Sequence, residues 1–207
     1  MKNSWTKSIN WSLAVAVITL VLAALFSIVS TLMLSGVNWA LGMLLVLIIV
    51  FIGVFFDTIG IAATSAKEEP FHAMSAKKLP GARHAVLITR NADRFASFCN
   101  DVIGDIAGIV SGTASAFVVI QLTLAVGYAD GSIVQSVISV LFTSVIAALT
   151  VGGKSFGKTL AIYFSTPIIY QVGRILYVLE VKFKIKIFSS NGKKKGKQTN
   201  KSKPKGK

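Results

Sequence analysis

The chain has 207 residues, 53% of them hydrophobic, and 22 Lys and Arg against 8 Asp and Glu, for a formal net charge of +14. A soluble domain of this length spreads its apolar residues by helix or strand period. Here they stand in four blocks almost free of charge, residues 11–34, 39–63, 102–126 and 133–151. Each is long enough for a bilayer core, so composition excludes an ordinary soluble domain and predicts an all-α polytopic membrane protein.

The charge also argues against nucleic acid as its partner. Eleven of the 22 basic residues lie from Lys182 onward and the others sit between the apolar blocks, the pattern of a membrane protein facing anionic lipid. A single cysteine, Cys99, forms no internal disulfide, and His72 and His84 show no zinc-site spacing.

In chain order, Lys2 and Lys7 precede the first block, which exceeds a signal-peptide apolar core and reads as an extra N-terminal transmembrane helix within residues 1–35. The second helix is predicted over 39–65, with Asp57 in its inner half. Gly53, Asp57 and Gly60 share one face at spacings of four and three. Residues 67–94 are polar and broken by Pro70, Pro80 and Gly81, which predicts two short surface helices in a cytoplasmic hairpin. A third helix follows over 95–126 and a fourth over 133–151. With the N-terminus inside, the outer loops 35–38 and 127–132 hold no Lys or Arg. Every basic residue then falls on the cytoplasmic side, as do both termini.

Gly152 and Gly153 suggest that the chain turns out of the bilayer there. Residues 158–180 are expected to form a juxtamembrane helix along the cytoplasmic interface, with a shallow re-entrant or spanning course as the alternative. Residues 181–188 alternate Lys with Val, Phe and Ile, which suits a strand or an interfacial strip. The Lys-, Gly- and Ser-rich tail that completes residues 181–207 is expected to be disordered and bound to anionic headgroups.

The stretch 91–112 carries the chemistry. Asp101 and Asp105 stand one helical turn apart, and Gly104, Gly108 and Gly112 form a ridge fit for close helix packing. A carboxylate at mid-bilayer costs about 2.5–3.5 kcal/mol, so Asp57, Asp101 and Asp105 require compensation. Hard oxygen ligands suit Mg²⁺ or a similar cation, with Asn100, Ser111, Thr113 and Ser115 as neutral oxygens. The bland alternative places Asp101 at the inner interface as a helix N-terminal acid and lets Lys154 neutralise Asp57 or Asp105. Residues 152–159, GGKSFGKT, match the Walker A pattern, but a membrane-length block precedes them instead of a short strand, which argues against a phosphate loop. No nucleophile–base pair stands out, so an enzyme is not expected.

Three strings, in order, resemble the transmembrane domain of the cyclin-M (CNNM)/CorB–CorC family of magnesium transport proteins. FFDTIGIAATSA at 55–66 is similar to the end of that domain's first helix, and NADRF at 91–95 to the Asn-Pro-Glu-Arg-hydrophobic opening of its second. GKSFGKTLA at 153–161 (Gly153, Lys154, Gly157, Lys158 and Thr159 among them) resembles the Gly-Glu-x-x-Pro-Lys-Ser/Thr-Leu-Ala motif after its third. The resemblance covers about residues 39–180 within a predicted domain of 36–180. It implies a homodimer with three core helices per chain, a belt-like juxtamembrane helix, and Mg²⁺ as substrate in an inward-facing cavity between the first two core helices. The alternative expectation, motivated by the altered site and the departures below, is a non-transporting membrane partner or regulator that pairs with a full-length family member; no covalent cofactor is implied. The departures are specific. Asp57 stands where the family has Ser, Gly60 where it has Glu, Lys154 where the motif has Glu, and Gly157 where it has Pro. An ungapped placement of the family's second-helix Asn falls near Ile103 and Gly104, so Asn100 or Asp101 takes its role only with a register shift. The lysine tail stands where the family's CBS pair would follow.

Overall fold

The computed structural model describes residues 2–34, 38–127 and 133–183, and these are all-α. Helix α1 spans Lys2–Leu34, α2 Trp39–Ser65, α3 Glu69–Ala76, α4 Ala82–Arg90 and α5 Ala92–Ser97. A π-helical segment, Phe98–Gly104, leads into α6, Asp105–Ala125. Helices α7, Ile133–Tyr163, and α8, Ser165–Phe183, complete the described chain. Among the described residues, four helical stretches are long and apolar enough to cross a membrane: Ser12–Leu32, Trp39–Ser65, Ala92–Ala125 and Ile133–Tyr163. They mark the chain as a multi-pass membrane protein. Its exposed surface agrees, since Phe51, Val140 and Leu141 point outward, as befits side chains that face lipid.

Helix α2 is the centre of the bundle and touches α5, the π-helical segment, α6, α7 and α8. One core joins Val46 and Val50 of α2 to Ala114 and Val118 of α6 and Ile146 of α7. A second lies at the other end of α2, where Ala62 and Ala63 meet Phe71, Ala85, Val86 and Ile88 of the α3–α4 hairpin, Ala161 of α7 and Ile169 of α8. Helix α1 is peripheral and lays Val15, Leu22 and Ala23 against Val102, Ile106 and Val110. Hydroxyls inside the bundle donate back along their own helices: Thr58 to the Val54 carbonyl at 2.8 Å, Ser115 to Ser111 at 2.6 Å, Thr150 to Ile146 at 2.7 Å. That habit lets Ser and Thr sit in an apolar helix without an unmet polar group.

Three boundaries depart from the sequence reading. The chain does not turn at Gly152–Gly153, because α7 continues through both to Tyr163. Each glycine costs a helix interior about 1 kcal/mol, but Gly153 is where α7 lies on Val54 of α2, and a Cβ there would stand 3.0 Å from the valine side chain. The break falls instead at Phe164, four residues after Leu160, whose carbonyl accepts the last amide at 2.8 Å. Pro167 explains the place: inside a continuous helix its ring would meet the Tyr163 carbonyl, whereas in the first turn of a new helix its missing N–H is not needed. Consequently the helix expected over 158–180 is replaced by the end of α7, up to Tyr163, and by α8, Ser165–Phe183. Residues 181–183 continue that helix; the rest of the predicted strand and of the lysine tail lies outside the described residues, as do most of both predicted outer loops. Finally, the third spanning helix begins at Ala92 and contains the π-helical segment.

Two glycines set the hairpin on α8. Gly81, with φ of 84°, ends the turn between α3 and α4, and a Cβ on it would stand 2.5 Å from the Arg174 amide nitrogen of α8. Opposite it, a Cβ on Gly173 would stand 2.6 Å from the Gly81 carbonyl oxygen. The two backbones cross in contact, which no larger residue permits.

Candidate intramembrane charge site

Asp57 projects from α2 toward the two helices that flank it. Helix α2 runs antiparallel to the π-helical segment and α6, so Gly53 lies beside Ala107, Asp57 beside Gly104, and Gly60 beside Asn100. Helices α2 and α7 run in the same direction: Gly153 meets Val54, and Gly157 meets the Thr58 hydroxyl. Lys154 sits between those two contacts and is held within reach of Asp57.

Its ammonium stands between two carboxylates, with Nζ 3.7 Å from Asp57 Oδ1 and 3.8 Å from Asp105 Oδ1. Three spanning helices thus meet on one cation. Both separations exceed hydrogen-bond reach, so the pairing is Coulombic. The acids differ in exposure: the Asp57 side chain retains 14% of its accessible surface, Asp105 63% and Lys154 31%. Attraction at this range is about 1 kcal/mol in water and about 4 kcal/mol near a protein surface. Exposure puts the Asp105 arm near the weak limit and the Asp57 arm above it.

Beside this triad is an unmet polar atom. Asn100 Oδ1 is shut off from solvent and has no hydrogen-bond partner. It rests over Gly60, in space that the Cβ of any other residue would fill. An orphaned acceptor costs about 1–3 kcal/mol. Asn100 belongs to the π-helical segment, a distortion that often accompanies function because it slips the backbone ladder by one residue and re-aims side chains.

The other residues singled out in the sequence divide clearly. Asp101 is exposed, and among the described residues no ion pair links it to the triad. Gly104 lies under Asp57, but Gly108 and Gly112 have nothing within 4 Å of a built Cβ. The predicted packing ridge therefore turns away from the neighbouring helices, since a spacing of four drifts by about 40° per step in a helix of 3.6 residues per turn. Ser111, Thr113 and Ser115 spend their hydroxyl protons on carbonyls of α6. Lys158 and Thr159 are exposed on α7, with Thr159 donating to the Ser155 carbonyl at 3.4 Å. The Walker-like string is wholly helical, so its backbone amides do not form a phosphate cradle. Among the described residues, no three Asp, Glu, His or Cys side chains gather in a group able to hold a metal ion. Any cation here would depend on two carboxylates and neutral oxygens.

Two polar links lie outside the bundle core. His84 Nε2 meets Glu180 Oε2 at 2.5 Å, tying α4 to α8, and the Tyr177 ring packs edge-on against the imidazole at 6.0 Å. Glu68 accepts from Arg90 Nε at 2.5 Å and pairs with His72 at 2.6 Å, which joins the start of the hairpin to its end. The Arg90 hydrogen bond, then that of His72, holds the Glu68 carboxyl below its ordinary value of 4.5. The sequence reading finds no zinc-site spacing at either histidine and assigns them no role. The one available signal was the position of His84 on a short helix whose apolar residues, Ala85, Val86 and Ile88, are buried around it.

The chain matches no family model, no curated protein and no solved structure. Functional inference rests on the geometry just described.

Proposed function

We propose that the protein is a cell-membrane transporter of divalent cations of the Mg²⁺ type, with both termini cytoplasmic and its site opening to the cytoplasm. Asp57 and Asp105 would supply the charged oxygens and Asn100 a neutral one, on a transmembrane domain similar to that of the cyclin-M/CorB–CorC proteins. The observation that carries this reading is the seat itself. Two carboxylates on two spanning helices hold a cation between them without a hydrogen bond to either, so their lone pairs are open to another ligand. The orphaned oxygen of Asn100 lies one helical turn from the backbone under Asp57 and has the hard-donor character that Mg²⁺ takes. The resemblance adds a homodimer, with α8 as its interfacial belt and basic residues on anionic headgroups.

The test is Mg²⁺ movement into proteoliposomes that contain a trapped indicator. Wild-type protein should transport, and Asp57→Asn should fall to the level of empty vesicles. A second reading, a non-transporting partner or regulator of a full-length family member, is favoured by one fact: Lys154 already places a positive charge at both acids. Wild-type protein that behaves like empty vesicles would establish that reading and end the first.

A further inference from the structure

Lys154 enters the site on a fixed base. The contacts of Gly153 on Val54 and Gly157 on Thr58 hold α7 against α2 on either side of it, so its Cα cannot drift from Asp57. Its four-carbon stem is the movable part, and the side chain is 31% exposed, which leaves its head a route to water past the open Asp105 side.

Charge then decides what the seat accepts. With the ammonium seated, the two acids and the lysine carry a net charge of −1, which one monovalent ion would neutralise. With the ammonium withdrawn, the acids alone carry −2, which one divalent ion would neutralise. A divalent ion entering beside a seated ammonium would leave the seat positive, with a doubled repulsion at about 4 Å. The two occupants exclude one another.

We infer, resting on the cation-site reading above, that Lys154 is the specificity-determining residue of the site: a tethered monovalent cation that a divalent ion must displace. Two independent features point to this seat. A cation is held there without hydrogen bonds, and one turn along α2 from Asp57, over Gly60, the shielded Oδ1 of Asn100 lacks a donor. Lysine at this position converts a plain acidic pair into an exchange site, so divalent affinity reports the difference between two cations and not the strength of one.

The experiment is calorimetric Mg²⁺ titration of the detergent-purified full chain as wild type, Lys154→Gln, Lys154→Arg and the double variant Asp57→Asn/Lys154→Gln. Lys154→Gln should bind at least about tenfold tighter than wild type. Lys154→Arg should remain as weak as wild type, and the double variant should lose binding. Equal affinity in wild type and Lys154→Gln would overturn the inference while leaving the cation site intact. Absence of binding in both would overturn the cation site and the inference with it. Should Lys154→Gln lose its fold, wild-type protein suffices. The rate of reductive methylation at Lys154, followed by mass spectrometry, should rise severalfold when Mg²⁺ is added, and an unchanged rate overturns the displacement.

Discussion

Asp57 and Asp105 share one lysine but stand in different surroundings, and that difference should appear in stability. Asp57 is largely enclosed by α2, α6 and α7, whereas most of the Asp105 side chain is open. Asp105→Asn is expected to cost about 0–1 kcal/mol, as an exposed pair does. Asp57→Asn leaves Lys154 with only its exposed partner and should cost more, about 1–3 kcal/mol. Thermal unfolding in detergent would check the order; the reverse would mean that Lys154 leans on Asp105. Asn100→Leu is expected to retain stability, because it deletes an acceptor that has no donor, yet to weaken Mg²⁺ binding. A large loss of stability in that variant would show that the amide is satisfied in the native protein. The charge balance between Lys154 and an acid was legible in the sequence from the cost of carboxylates in lipid. That one lysine serves both acids was not, because helix rotation is set by Gly153 and Gly157 and no count of charges reveals it.

Elements were legible where they rest on apolar length and obscure where they rest on contacts. The four spanning stretches follow from blocks of uncharged residues, and the two hairpin helices from Pro70, Pro80 and Gly81. Gly152 and Gly153 misled because glycine marks both a turn and a close approach of helices, and only the facing Val54 tells which. The π-helical segment has no sequence signature of its own; within it Asn100 settles on Gly60, and directly after it Asp105 reaches Lys154. For the hairpin, the depressed Glu68 carboxyl has a definite pH consequence. A carboxyl that ionises more readily when folded contributes stability above its unfolded value, near 4.5, and loses it as pH falls through the folded value. Amide protection in α3, corrected for intrinsic exchange, should therefore drop below about pH 4.5. Glu68→Gln should show the lower protection at every pH, and a pH profile identical to wild type would disprove the assignment.

At the scale of the whole molecule, the chain doubles back on the charge site. From Asp57 it runs down α2, through the hairpin to α4, across the Gly81–Gly173 contact to α8, and up α7 to Lys154. The crossing is fastened a second time by His84 and Glu180. The ion pair and the crossing are thus the two clasps of one closed ring of polypeptide. Opening one clasp should loosen the other, as undoing a buckle slackens the whole belt. Gly173→Val, which forces the crossing open far from the acids, should raise the methylation rate of Lys154 about as much as a direct change at Asp105. If that rate stays at the wild-type value, the two clasps act independently. In a ring built this way, a tug on α8 would reach the charge site through the chain itself, without any signal having to travel through the packing of the bundle.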